Sequence, residues 1–185
     1  MSNLVARLDD LKMLLQEDDF LKGKGLSNEV NIRIFCYDPK EEMIIRSFAD
    51  RLVNDNIKTK IYFVDLYETL LTICEKRRIL DRMGQMEKKK GKEYIEEYFK
   101  NKCNAESFAE EIIAEMKDDA DVLLILGVGK VFPFLRAHSL LNALKDKGNM
   151  TKPIVVLYPG AFDGHYVKMF NQLKPNEYYR AFNTI

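Results

Sequence analysis

A run of five apolar residues near the middle of the chain constrains its fold more than any other feature. The segment from Val122 to Leu126 is too short for a helix and contains no polar residue, which is typical of a strand buried on both faces of a parallel sheet. The segment Gly127-Val128-Gly129 then allows a sharp turn, and Pro133 suits the first turn of a helix that begins near Phe132. The sequence therefore predicts a central strand, a tight loop and a helix that packs on the sheet.

Similar apolar runs on either side predict further strands that alternate with helices. The expected strands are residues 30–37, 57–66, 122–126, 153–158 and 177–185, and residues 165–173 are expected to form a short helix or turn. This alternation indicates an α/β protein with a three-layer α/β/α, Rossmann-like fold and a mostly parallel five-stranded sheet. Asp38 and Asp65 follow the first two strands, and both are expected to cap the next helix.

Two helical regions complete the single domain that we expect over residues 1–185. Four leucines from Leu4 to Leu15 recur at helical spacing and predict an amphipathic helix over residues 3–18. Residues 67–117 contain no convincing strand. They predict a helical insertion of three segments between strands two and three, interrupted near Gly84, Gly91 and residues 101–104.

Composition excludes several classes of protein. Lys plus Arg and Asp plus Glu number 29 each, so no overall charge attracts the chain to nucleic acid or to an acidic partner. The three cysteines have no C-x-x-C spacing and are expected to be reduced packing residues in a cytoplasmic protein. The N-terminus lacks the apolar core of a signal peptide, and no run approaches 18 apolar residues, so we expect no membrane segment.

The loop after the central strand is the candidate ligand site. Open α/β sheets bind ligands where a strand ends in a glycine-rich loop before a helix, since free N–H groups point into that space. The residues expected to form an anion or ligand site are Gly127, Gly129, Lys130, Arg136, His138 and Asp163. The alternative is structural: the glycines make a turn, His138 belongs to the core and Asp163 is a turn residue.

Known catalytic motifs are absent from the sequence. One residue separates the two glycines and Val131 follows Lys130, which does not match a P-loop, and Phe132 stands where a dinucleotide fingerprint needs a third glycine. The two histidines are 27 positions apart in no zinc motif, and no G-x-S-x-G segment exists. We therefore expect a non-enzymatic protein without a metal or cofactor. The alternative is a nucleotide- or phosphate-binding protein, a degenerate hydrolase, that uses the loop from Gly127 to Lys130.

The most basic part of the chain lies within the expected insertion. It runs from Lys76-Arg77-Arg78 through Lys88-Lys89-Lys90 to Lys92 and is mixed with acidic residues. Such a mixture is typical of solvated helices on which neighbouring opposite charges form pairs. Non-specific DNA binding through these lysines is the alternative.

Several segments together resemble the BrxB family of bacteriophage-exclusion (BREX) defence operons, a family of unknown function. The resemblance covers nearly the whole chain. Its most specific segments are GVGKVFPFLRAHSLLNAL at residues 127–144, YPGAFDG at residues 158–164 and YYRAF at residues 178–182.

This resemblance implies an accessory component of an anti-phage complex. Its expected partners are a PglZ-like protein and other BREX components, and the family brings no established catalytic residues. Aromatic and Arg side chains often dominate interface energetics, so Tyr178, Tyr179 and Arg180 are the expected partner contacts.

Overall fold

A mostly parallel sheet forms the middle layer of the protein. The computed structural model describes residues 3–23, 31–55, 57–147, 151–163, 166–173 and 183–184. The strands are β1 (Ile32–Tyr37), β2 (Ile61–Asp65), β3 (Val122–Leu126), β4 (Ile154–Phe162), β5 (Val167–Met169) and β6 (Asn183–Thr184). Five strands run parallel in the spatial order β2-β3-β4-β1-β6, while β5 pairs antiparallel with β4. The predicted α/β class and five-stranded parallel sheet are confirmed.

The apolar run from Val122 to Leu126 forms β3, with β2 on one side and β4 on the other. Leu124 lies opposite Phe63 of β2 and Val155 of β4. The residues from Val122 to Ile125 are all buried, so the prediction of an internal strand is confirmed.

Helices cover both faces of the sheet because alternate strand residues point to opposite sides. Side chains such as Phe35, Leu124 and Leu157 pack with the first three helices, whereas Ile34, Ile125 and Val156 pack on the other face. The helices of the first face are α1 (Asn3–Leu14), α2 (Asp18–Leu21) and α3 (Glu42–Asn54).

The second face carries the helices that follow β2 and β3. They are α4 (Leu66–Lys76), α5 (Leu80–Lys90), α6 (Lys92–Lys102), α7 (Ala105–Glu115), α8 (Val128–Val131) and α9 (Ala137–Asp146). Four of these helices, rather than three, lie between β2 and β3. One helix ends at Lys76 and the next begins at Leu80, whereas Gly84 is inside α5 instead of interrupting it. A Cβ atom at Gly84 would meet nothing within 4 Å, so this exposed helix accommodates the glycine.

The segment after β3 differs from its prediction. A short helix, α8, begins directly after Gly127, and the next helix begins at Ala137 instead of near Phe132. Phe132 has extended backbone angles, as expected for a residue that precedes a proline. Pro133 therefore lies in the connection between two helices and not in a first helical turn.

Two predictions near the termini also need correction. The N-terminal helix ends at Leu14, before the separate helix α2. Strand β4 continues past Pro159-Gly160 to Phe162 and pairs with β5, which occupies residues expected to form a helix or turn. The absence of a side chain at Gly160 permits this pairing, since a Cβ atom there would lie 2.1 Å from the Lys168 carbonyl oxygen.

No helix in the described ranges is long and apolar enough to span a bilayer.

Candidate functional site

The carboxyl ends of the parallel strands contain the best-formed polar network near the predicted loop. Helix α3 follows β1 onto one face of the sheet, whereas α8 and α9 follow β3 onto the other. Connections that leave in opposite directions open a crevice at the carboxyl ends, the usual ligand position in open α/β sheets. This crevice lies over β4, which separates β1 from β3.

Asp65 is the centre of the network. As the N-cap of α4, its Oδ1 accepts a hydrogen bond from the Tyr67 backbone N–H at 2.8 Å, which confirms its predicted capping role. Its Oδ2 accepts a hydrogen bond from Arg46 Nη1 at 3.0 Å and lies 3.5 Å from Lys130 Nζ. Only 16% of the Asp65 side chain is exposed, so these cations interact with a carboxylate that is largely removed from water.

The network continues through α3 to the end of β1. Arg46 Nε lies 2.9 Å from Glu42 Oε1, one helical turn earlier, and the Tyr37 hydroxyl donates to Glu42 Oε2. Burial raises the pKa of Tyr37, and the bond to Glu42 raises it further. Burial opposes the charge on Arg46, but Asp65 and Glu42 raise its pKa overall. The result is a continuous chain from Tyr37 through Glu42, Arg46 and Asp65 to Lys130.

One polar atom of this network has no hydrogen-bond partner among the described residues. Arg46 Nη2 is buried and unbonded, although Nη1 and Nε of the same guanidinium are bonded. A buried N–H donor without a partner is unusual in a folded protein. The site therefore retains one donor beyond its internal ion pairs.

Two cavities lie beside the network. The smaller, of about 220 Å³, is lined by Pro39, Glu42, Gly129, Lys130, Pro159 and Phe170. Its walls are mainly apolar, with the two charged side chains among them. Gly129 allows Phe170 to pack closely, since a Cβ atom there would lie 2.9 Å from the Phe170 ring.

The larger cavity, of about 420 Å³, opens between the end of β1 and the turn from β4 to β5. It is lined by Arg7, Cys36, Tyr37, Asp38, Glu41, Gly160, Ala161, Phe162 and Asn171. Asp38 forms the predicted cap, here a capping box with Glu41 at the 3₁₀ turn Pro39–Glu41. Arg7 Nη2 donates to the Cys36 carbonyl oxygen at 2.6 Å and fixes the first helix against this strand end.

The structure brings together three of the six residues predicted for an anion site. Gly127 lies against Asp65, and Gly129 and Lys130 line the smaller cavity. The Asp65 carboxylate occupies the position beside the loop where a bound anion would be expected, and it already faces Lys130. A ligand phosphate at this point would have to compete with the protein's own carboxylate.

The other three predicted residues do not line either cavity. Arg136 is exposed, with its guanidinium carbon 5.9 Å from the centre of the Phe132 ring. His138 Nε2 accepts a hydrogen bond from Asn142 at 2.9 Å, and burial lowers the pKa of His138. Asp163 accepts from the Tyr166 N–H at 2.8 Å within the turn between β4 and β5.

Sequence reasoning missed Tyr37, Glu42 and Arg46 as members of a site. The available signal was the spacing of Glu42 and Arg46, since residues four apart on a helix form ion pairs. The predicted partner contacts Tyr178, Tyr179 and Arg180 lie outside the described residues. Within the described residues, no three His, Cys, Asp or Glu side chains are grouped so that they could hold a metal ion.

Comparisons with known proteins agree on one family. A family model described as "BREX protein BrxB" matches residues 62–184. A BREX protein BrxB of Bacillus cereus (strain H3081.97) is 35% identical over 192 residues, which cover all of this chain and 99% of the relative. A BREX protein BrxB of Escherichia coli O9:H4 (strain HS) is 29% identical over 185 residues, which cover 98% of this chain and 92% of the relative. No solved structure matches the chain.

Proposed function

Since this chain belongs to the BrxB family of BREX phage-defence proteins, we propose that it is a non-catalytic accessory component that binds a PglZ-like protein within the defence complex. One observation supports a binding role: the charged side chains at the carboxyl ends of the strands are paired with one another. Asp65 is bound by Arg46 and Lys130, and Glu42 is bound by Arg46 and Tyr37. Both carboxylates are therefore engaged by the protein's own donors, which supports a structural and binding role for this network.

Exposed apolar side chains indicate that the partner binds at this same end of the protein. Met43 is 74% exposed at the start of α3, Tyr67 is 39% exposed at the start of α4, and Phe162 is 38% exposed where β4 ends. Large apolar groups exposed around a cavity are characteristic of interaction sites, since burying them against a partner is favourable. We name Met43, Tyr67 and Phe162, with the smaller cavity between these strand ends, the carboxyl-edge surface.

The chemistry of this surface fits a protein partner. Apolar and aromatic residues are typical of an interface core, and charged groups are typical of its rim. In the smaller cavity, Pro39, Pro159 and Phe170 provide apolar walls, while Glu42 and Lys130 provide opposite charges. An apolar side chain of the partner would enter the cavity, and polar groups beside it would meet these two charges. Tyr178, Tyr179 and Arg180 remain a second proposed contact.

Co-purification tests the proposal. The tagged chain and the PglZ-like protein of its own operon are produced together, and the affinity of the purified pair is measured by calorimetry. We expect a stable complex. No complex at micromolar concentrations of both proteins would overturn the proposed partner.

A matched pair of variants tests the surface. Met43→Gln with Phe162→Gln removes two apolar groups of the carboxyl-edge surface, and we expect Kd to rise about tenfold or more. The control is Met13→Gln with Val53→Gln. It removes two exposed apolar groups near the C-terminal ends of α1 and α3, away from the carboxyl-edge surface, and should leave Kd unchanged. Equal affinities for the two double variants would show that the partner binds elsewhere.

A further inference from the structure

Helix α5 is strongly basic and mostly exposed. None of its residues is fully buried, although Met83 packs against the core, and the helix lies mainly beside α6. Between Lys76 and Lys92 the chain contains eight Lys or Arg residues and only Asp81 and Glu87 as acids. The neutral total charge of the protein therefore conceals a local concentration of positive charge.

The positive charges of α5 are not neutralised as the sequence pattern had suggested. Elsewhere, lysines are held by acids in pairs such as Lys60–Asp119, Lys76–Glu111 and Lys147–Glu110. In the part of the chain that the structure describes, no ion pair involves Arg82, Lys88, Lys89 or Lys92. The expected pairing is therefore found for Lys76, at the start of the basic stretch, but not for these four side chains.

The geometry of α5 suits an extended anion rather than a small one. Arg82 and Lys89 are seven residues apart and lie on the same side of the helix, with Gln85 between them. They are separated by about 10 Å along the helix axis, and Lys88 and Lys90 lie on the adjoining sides of the helix next to Lys89. Neither of the two cavities at the strand ends is lined by α5, and these four cations are exposed to solvent.

The composition of this surface distinguishes a nucleic acid from a protein partner. Protein interfaces are depleted of Lys, and their cores are built from aromatic and apolar groups. The described aromatic neighbour of the patch, Tyr94, is already covered by Lys90, whose Nζ lies 4.1 Å from the ring centre. Nucleic-acid interfaces, in contrast, are polar and strongly positive.

We propose that α5, together with Lys92 at the start of α6, binds the phosphate backbone of double-stranded DNA without reading its sequence. Backbone phosphates would pair with these exposed cations, and the release of counterions supplies the free energy. This activity is independent of the proposed protein partner and would bring a BREX component to DNA of any sequence.

Fluorescence anisotropy of the purified full chain with a labelled 20-base-pair duplex tests the proposal over a range of salt concentrations. We expect binding at about 50 mM salt that falls steeply by about 200 mM, and equal affinity for duplexes of unrelated sequence. Lys88→Gln with Lys89→Gln should weaken binding about tenfold at low salt and reduce the log–log salt slope by about 1.8.

The control double variant is Lys58→Gln with Lys117→Gln, which removes the same charge from exposed lysines outside α5. It should bind DNA as the unmodified chain does, and circular dichroism should show both variants folded. Absence of binding at low salt, or equal losses in the two variants, would overturn the proposal. If the unmodified chain binds no DNA and the α5 variant no longer binds the PglZ-like protein, then α5 is a protein contact. That result would also overturn the proposal.

Discussion

Gly127 lies so close to Asp65 that a Cβ atom added to the glycine would come within 2.5 Å of the Asp65 Oδ1. The backbone of Gly127 also has a φ of +78°, a conformation that side chains disfavour. The loop after β3 is therefore held against the carboxylate at the end of β2, and Lys130 comes within 3.5 Å of the same group.

Gly127→Ala should destabilise the protein by about 2–4 kcal/mol, because it adds both an unfavourable φ and a contact with Asp65. Urea unfolding followed by circular dichroism measures the change. Gly84→Ala is the matched control, since this glycine lies in an exposed helix with free space around it. We expect it to be neutral or to stabilise the protein by about 0.5–1 kcal/mol. Equal stability of the two variants would contradict the close contact between Gly127 and Asp65.

Asp65→Asn should lower the free energy of unfolding by about 1–3 kcal/mol. Asparagine retains the cap of α4, but it removes the negative charge that Arg46 and Lys130 share. Asp119→Asn provides the comparison, because its pair with Lys60 is exposed to solvent and should contribute less to stability than the Asp65 network. If both substitutions cost the same in urea unfolding, the Asp65 network contributes no more than a surface pair.

The stability of the protein should contain a contribution from His138 that disappears in acid. Burial lowers the pKa of His138 in the folded state, so the unfolded chain binds a proton more readily. This contribution is complete above the unfolded pKa, which is about 6.5, and is lost as the pH falls towards the folded pKa. His138→Gln should therefore flatten the dependence of unfolding free energy on pH between about 7.5 and 5.

The unmodified chain is the reference for this measurement. An unchanged slope in His138→Gln would mean that His138 titrates alike in the folded and unfolded states.

The three cysteines should be unreactive in the folded protein. Cys36, Cys74 and Cys103 are buried, and burial raises the pKa of the Cys36 thiol to about 11 even though Arg7 opposes it. A buried thiol that stays protonated is a poor nucleophile. The hydrogen bond with Cys74 lowers the pKa of Cys103, but Cys103 is fully buried and the reagent cannot reach its sulfur. Ellman's reagent at about pH 8 should label the native chain at least about 100-fold more slowly than the urea-unfolded chain. Rapid labelling of any cysteine without urea would show that the core opens easily.

Local sequence signals predicted the parts of the fold that depend on neighbouring residues. Val122 to Leu126 forms an internal strand because an unbroken apolar run can be buried on both faces. Asp38 and Asp65 cap the helices that follow them, since capping needs only the next few residues. The family was also recognisable from short motifs, and the full-length relatives confirm it.

The polar network required information that local patterns do not contain. Tyr37, Glu42 and Arg46 are joined to Asp65 and Lys130 although two strands, β3 and β4, separate β1 from β2 in the sheet. Strand order depends on how helices pack across the sheet, so a single sequence did not reveal it. The extension of β4 into a pair with β5 was missed for a related reason, because Pro159-Gly160 usually indicates the end of a strand.

The strand order also has a consequence for synthesis on the ribosome. β1 is made early, yet its described neighbours in the sheet are β4 and β6, which begin at Ile154 and Asn183. While residues 38–153 emerge, the edges of β1 have no native strand to pair with, and exposed edges invite aggregation. We therefore expect the sheet to be completed only after β6 has emerged from the ribosome, and nascent chains that stall before β4 to depend on chaperones.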